Sequence, residues 1–376
     1  MGGLVPTSHH RDVVQMRKNR SINEVMARRG TFGGEKKRGL ASVALALLLA
    51  ACATTPEVGW QARHAAGEAL REAVRFAEEP LPDAWTDVPV TTVPVEINDP
   101  DLEAGTGALV YIGGFEIRSE FNRLHGLSDI RFVNSSDFVA ISDEGLLVRG
   151  ALRLDAQMRP TGLVDMAVRP LVDPDGAALI PKFLADAEGL ALTDNRDLLV
   201  SFERDHRVWR YDYEGRWLGE RAMPDYRFTE NEGPEAIAAD TDDRLWMAGE
   251  DGGLWLCHPE ACEVVVQPPA VRPGDDDLRV TSMVRDPASD GLYVLQRAYH
   301  ASRNANTIRI SLWANPTGPH AQPDRILAEW TAPATVDNFE GIAAVRRPDG
   351  TVRLFILSDD NFNPNQRMLL LAFEVR

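Results

Sequence analysis

The sequence lacks the short signatures that mark most enzyme classes. There is no phosphate-binding G-x-x-x-x-G-K-[ST] loop, no H-E-x-x-H zinc helix and no G-x-G-x-x-G dinucleotide turn. The nearest approach to a G-x-S-x-G nucleophile elbow, Gly126-Leu127-Ser128-Asp129-Ile130, lacks the final glycine and reads as a strand. Basic residues are in deficit: 40 Lys and Arg stand against 57 Asp and Glu, and the net charge of −17 argues against nucleic acid as a partner. Cysteine occurs only three times in 376 residues. The apolar run within residues 40–51 is too short to span a membrane as an ordinary helix. Long helical periodicity is missing from the second two-thirds of the chain.

A repeat is present instead. The stretch 186–207, DAEGLALTDNRDLLVSFERDHR, reads as acid, strand, turn, strand, acid. Other copies open at His125-Gly126, Pro234-Glu235, Val280-Thr281 and Phe339-Glu340. Taking Gly126, Gly189, Ala236, Ser282 and Gly341 as equivalent gives steps of 63, 47, 46 and 59 residues. Each copy carries a third strand: LLVRGALRL, RVWRYDY, GLWLC, IRISLW and MLLLAFEV. Several short strands per period of ~40–50 residues predict an all-β fold, a β-propeller of five or six blades. The last copy ends after three strands, so GALVYIGGFEI, residues 107–117, is expected to close the ring as its outer strand.

Residues 1–51 hold 9 basic and 3 acidic residues and read as an upstream extension, with Met26 the better start, followed by a secretory signal. The run ends in Leu49-Ala50-Ala51-Cys52, which resembles a bacterial lipobox. Cys52 is therefore expected to be lipidated, on the periplasmic side of a bacterial envelope, with a plain signal peptide as the alternative. Residues 52–104 read as a tether, an amphipathic helix over 58–79 ended by Pro80 and Pro82, and a Pro-rich linker. Residues 105–376 are the propeller. Cys257 and Cys262 flank HPEA; export favours a disulfide, with free thiols or zinc as alternatives.

The candidate chemistry is an array of charges at equivalent repeat positions. The first strand of a blade lines the central channel, so residues at its start and at the end of the second strand share one opening. His125, Glu188, Glu235 and Glu340 occupy the first position, and Asp143, Glu203, Glu250 and Asp359 or Asp360 the second. Arg204, His206, Arg297 and Arg367 are close in sequence. Crowded carboxylates raise one another's pKa unless a cation sits among them, and their oxygens suit Ca²⁺. The metal set is thus Glu188, Glu203, Glu235, Glu340, Asp359 and Asp360; the catalytic candidates are His125, His206, Arg204 and Arg367. Equally, such acids can cap strand amides and hold blades together.

The segments HGLSDI…FVAISDEG, DAEGLA…LLVSFERDHRVWRYD, GPEAIA and NFEGIAAV…LFILSDDNFNPNQRMLLLAFEV resemble the esterase-like, phytase-like family of secreted bacterial proteins, over roughly residues 105–376. The resemblance implies hydrolysis of phosphate monoesters or simple esters. More distantly, calcium-dependent propeller phytases hold Ca²⁺ in an acid-lined channel, where it binds substrate phosphate and activates water. The resulting expectation is a monomeric, lipid-anchored, metal-assisted phosphoesterase acting on a small phosphorylated or ester substrate. Its rival is a non-catalytic ligand-binding or envelope scaffold propeller.

Overall fold

Short strands separated by turns rich in Asp, Asn and Gly pair with their sequence neighbours into five antiparallel sheets among the described residues. A computed structural model describes residues 81, 83–180, 182–229, 232–316 and 323–376. The signal segment, Cys52 and the helix expected over 58–79 lie outside the described residues.

Each sheet begins with an inner strand: Leu127–Phe132, Ala187–Leu192, Ala236–Ala239, Arg279–Arg285 and Asn338–Arg346. These five strands touch in cyclic order, and the fifth returns to the first. The fold is a five-bladed β-propeller. The expected third strands are those observed, from Leu146–Leu154 in the first blade to Leu369–Val375 in the last. The long first step contains no extra blade. Its length goes into the strands Leu146–Leu154 and Pro160–Pro170 and the loop that follows.

Five apolar layers lie between successive blades. Phe138 and Ile130 of the first blade meet Phe355 and Leu370 of the fifth, and Ile141 and Leu147 meet Leu190 and Val200 of the second. The remaining three layers pair blades two with three, three with four and four with five. Alternation along each strand sends successive side chains to opposite faces, so an inner blade must be apolar on both. Truncating a buried side chain such as Phe355 to Ala would cost about 3–5 kcal/mol.

The ring is closed by the N-terminal part of the propeller. Leu109–Ser119 pairs antiparallel with Leu369–Val375, as the unpaired last copy requires. The segment read as a Pro-rich linker goes further. Val90–Pro94 adds a fifth strand outside Leu109–Ser119, and Thr86–Asp87 pairs with Pro160–Pro170 of the first blade. The sheets therefore start at Thr86 rather than at residue 105. Pro89 and Pro94 are compatible with this because an edge strand leaves one row of amides unpaired. Between these strands, Asp99 caps the helix Pro100–Ala104 by accepting from Asp101 N and Leu102 N, both at 3.0 Å.

The channel is filled at its axis by one ion pair. Arg131 Nη1 donates to Asp129 Oδ1 at 2.6 Å and to the carbonyls of Ile130 at 2.6 Å and Ile342 at 2.8 Å. Its Nη2 donates to the carbonyls of Ile237 at 3.0 Å and Met283 at 2.9 Å. Asp129 accepts from Leu190 N at 2.9 Å and from Ser282 Oγ at 3.1 Å. The pair thus touches the inner strands of all five blades. Room comes from Gly189, Ala236, Ser282 and Gly341 at the equivalent places in the other blades. A Cβ on Gly341 would lie 3.0 Å from Asp129 Cα, and one on Gly189 2.6 Å from the Glu235 carbonyl oxygen.

Candidate functional site

In every blade the first strand starts, and the second ends, at the same face of the ring. Ala187 pairs with Phe202 and Asn338 with Asp359, for example. Acids just outside these pairs therefore gather at one mouth. A β-bulge sharpens the placement in four blades: the ladder slips between Leu127 and Asp129, Ala187 and Leu190, Val280 and Ser282, and Phe339 and Gly341. The bulge takes a residue out of the ladder and re-aims it. Its occupants are Ser128, Glu188, Thr281 and Glu340, with Glu235 at the matching place before the third inner strand. The register therefore aligns Glu188 with Ser128, three residues beyond His125. Gly126 resembled Gly189 in sequence but is not its counterpart.

Asp186, Glu188 and Glu203 of the second blade each present a carboxylate oxygen within 4.8 Å of the others. Asp186 is the compensated member. Arg204 Nε lies 2.5 Å from its Oδ2, and Lys182 contacts its Oδ1. These cations outweigh burial and hold the Asp186 carboxyl below its usual range. Lys182 also lies 2.5 Å from Asp143 Oδ2, and the surrounding acids keep its proton on despite burial. Neither Glu188 nor Glu203 has an ion-pair partner among the described residues.

Burial first, and the neighbouring acids second, push Glu203 up to about 8 and Glu188 and Glu235 well above the ordinary range. Glu235 Oε1 accepts from Gly233 N at 3.1 Å, and Glu250 is met by Arg279 Nη1 at 3.1 Å. Across the mouth, Glu340 accepts from Asn338 Nδ2 at 2.7 Å and faces Arg297 Nη2 at 3.5 Å; burial takes its pKa to about 7. Asp359 is fully enclosed and raised by burial, then by Glu340 and Asp143. Asp360 joins the mouth to the first blade. Its Oδ2 lies 2.6 Å from His125 Nδ1, and its Oδ1 accepts from Gly126 N at 3.1 Å. That hydrogen bond raises the His125 pKa against the effect of burial, and the ring packs 4.8 Å from Phe362.

Glu188, Glu203, Glu235, Glu340, Asp359, Asp360, His125 and Arg204 are thus brought to one mouth. Two sequence candidates are not joined to it by any ion pair among the described residues. His206 lies against Phe228, ring centroids 5.5 Å apart, and burial lowers its pKa. Arg367 is held 3.1 Å from Asp337, within its own blade. Asp186 and Lys182 are members of the mouth that the repeat pattern does not mark. Asp186 stands two residues before Glu188 in the DAEGLA block, immediately ahead of the strand Ala187–Leu192.

The donor set fits a hard divalent cation. All its groups are oxygens, as Ca²⁺ prefers, and burial together with the neighbouring acids keeps Glu188 and Glu203 raised despite Lys182. A family model described as phytase-like, esterase-like activity of phytase, matches residues 122–362. No curated protein sequence matches the chain. Among solved structures, virginiamycin B lyase from Staphylococcus aureus is 9% identical, with a TM-score of 0.38, over 77% of this chain and 100% of that one. A nidogen/laminin complex is 15% identical, with a TM-score of 0.34, over 60% and 74%. YCF48 bound to D1 peptide is 13% identical, with a TM-score of 0.33, over 62% of each.

Proposed function

The chain belongs to the phytase-like family, and from that premise we propose that the acid-lined mouth hydrolyses a small phosphorylated or carboxylic ester with the help of a divalent cation, Ca²⁺ first among the candidates. The observation that carries this reading is the convergence of Asp186, Glu188 and Glu203. Those three residues would hold the ion. When bound, it would offset the charge of an anionic ester and lower the pKa of a coordinated water. Arg204, a quarter exposed while paired to Asp186, brings positive charge to the mouth for the same anion. His125, whose pKa the Asp360 hydrogen bond raises, would give a proton to a leaving oxygen. Glu340, with a pKa of about 7, can exchange a proton near neutral pH.

A panel of phosphate and carboxylic esters, assayed with Ca²⁺ and with chelator, tests the reading. Turnover that needs the metal, and that falls at least about tenfold in Glu188→Gln, is expected. Absence of turnover on every member with metal present would remove it. The rival, a non-catalytic ligand-binding propeller, is favoured by one observation: Lys182 and Arg204 already neutralise Asp186. We propose further that the protein is a monomer anchored through a lipid on Cys52 at the periplasmic side of the envelope. A Cys52→Ser protein that stayed with membranes would contradict this.

A further inference from the structure

Lys182 opens the four-residue helix Lys182–Ala185, between the first two blades. Its Nζ lies 2.5 Å from Asp143 Oδ2 and 3.2 Å from the Asp143 carbonyl oxygen, and it contacts Asp186 Oδ1. One positive centre thus gathers three oxygens, from the first blade and from the approach to the second. The carboxylates it serves are nearly closed off, with side chains 7% and 1% exposed. Two charges so deep need a counter-charge in place. An ammonium is a compact point charge with three donors, and its partners here are of the ligand type that Ca²⁺ takes. Glu188 and Glu203 come within 4.8 Å of Asp186 and of each other; the Lys182 charge is felt at both, but neither is ion-paired to it among the described residues.

We propose that Lys182 is the resident occupant of one of two cation positions in the acid mouth. Its ammonium fills the Asp143–Asp186 position and leaves the Asp186–Glu188–Glu203 cluster as the single position for a divalent ion. The inference rests on the reading of the mouth as a metal site. It makes Lys182 a residue that sets metal number, tethered to the chain so that one charge is never lost to dilution.

Calorimetric titration of Ca²⁺, with Tb³⁺ luminescence as a second count, tests it on the purified protein, on Lys182→Met and on Lys182→Arg. The methionine keeps the length and removes the charge. Lys182→Met is expected to bind one ion more than the parent and to gain more melting temperature from Ca²⁺; Lys182→Arg should keep the parent's count. Equal counts in Lys182→Met and the parent would overturn the proposal. None in the parent and one in the variant would sustain it while removing the metal-assisted hydrolase. One in each would do the reverse. If Lys182→Met does not fold without metal, recovery in millimolar Ca²⁺ supports the proposal and failure to recover overturns it. The double variant Asp143→Asn/Lys182→Met, which lacks the second carboxylate charge, should gain no ion; a gain there would place the new ion elsewhere and defeat the assignment.

Discussion

Asp129 and Glu203 are both carboxylates in the channel of one propeller, and the more deeply buried of them is the less perturbed. Asp129 is 0% exposed, yet burial takes its pKa only to about 6. Glu203 is half-buried at the mouth and is pushed to about 8. The axial carboxylate is bonded to Arg131, to the Leu190 and Ile130 amides and to Ser282. At the mouth, Glu203 has acids on either side and no ion pair among the described residues. Depth therefore does not decide how well a charge is tolerated; the number of fixed donors aimed at it does. The axis aims fixed donors at its one carboxylate, whereas the mouth leaves Glu203 beside other acids with no ion pair among the described residues.

The largest expected effect tests the axis. Arg131→Met should cost about 3–5 kcal/mol, because it strands Asp129 and several inner-strand carbonyls without a donor. Denaturant unfolding with and without Ca²⁺ would show it, and Ca²⁺ should not restore the loss. A cost under about 1 kcal/mol would mean that the axial bonds do not hold the ring.

Next comes the pH dependence of the metal-free protein. Glu203 at about 8 and Glu340 at about 7 stand above their ordinary value of 4.5, so the folded state holds more protons than the unfolded one between those limits. Stability should therefore fall as pH rises from about 4.5 to about 8. Asp186, held low, acts in the opposite sense only at more acid pH. Melting curves across this range should slope downward in chelator and flatten in Ca²⁺; a rise toward pH 8 in chelator would contradict the contrast between the two regions.

Glu188→Gln is a smaller change. It keeps the volume and removes one of the repelling charges, so the metal-free protein should gain on the order of 1 kcal/mol while its Ca²⁺-induced stabilisation shrinks. A loss of stability instead would assign Glu188 to a structural bond. The smallest effect is expected far from both regions. Cys257 and Cys262 stand opposite each other in one hairpin of the third blade, joined by a disulfide with Cα atoms 3.9 Å apart. So short a loop loses little entropy on closure, and the Cys257→Ser/Cys262→Ser protein should unfold within about 1 kcal/mol of the parent.

The ring and its mouth were largely legible because both repeat. Glu188, Glu235 and Glu340 recur before a small residue that opens an inner strand, and the unpaired last copy demanded Leu109–Ser119. What escaped does not repeat. Asp129 and Arg131 occur in one blade alone, as two polar residues in LSDIRF, and nothing local says that they face an axis. The bulges shift pairing by one residue without any fixed sequence mark, which is why Gly126 matches Gly189 in sequence but not in register. Lys182 lies in a connection, where no strand period applies. The strands at 86–94 were hidden by their prolines, whose cost falls away at a sheet edge.

The pairing of Leu369–Val375 with Leu109–Ser119 has a consequence for the order of synthesis. A nascent chain holds the first blades' strands long before it holds the seven residues that the closing sheet needs. Until they emerge, Leu109–Ser119 offers an unpaired edge to any passing strand, the situation that favours misassembly. A stop codon at Leu369 would therefore remove only the eight residues 369–376 of this sequence and yet leave the ring unfastened, so that their loss should abolish the cooperative melting of every blade rather than fray one end.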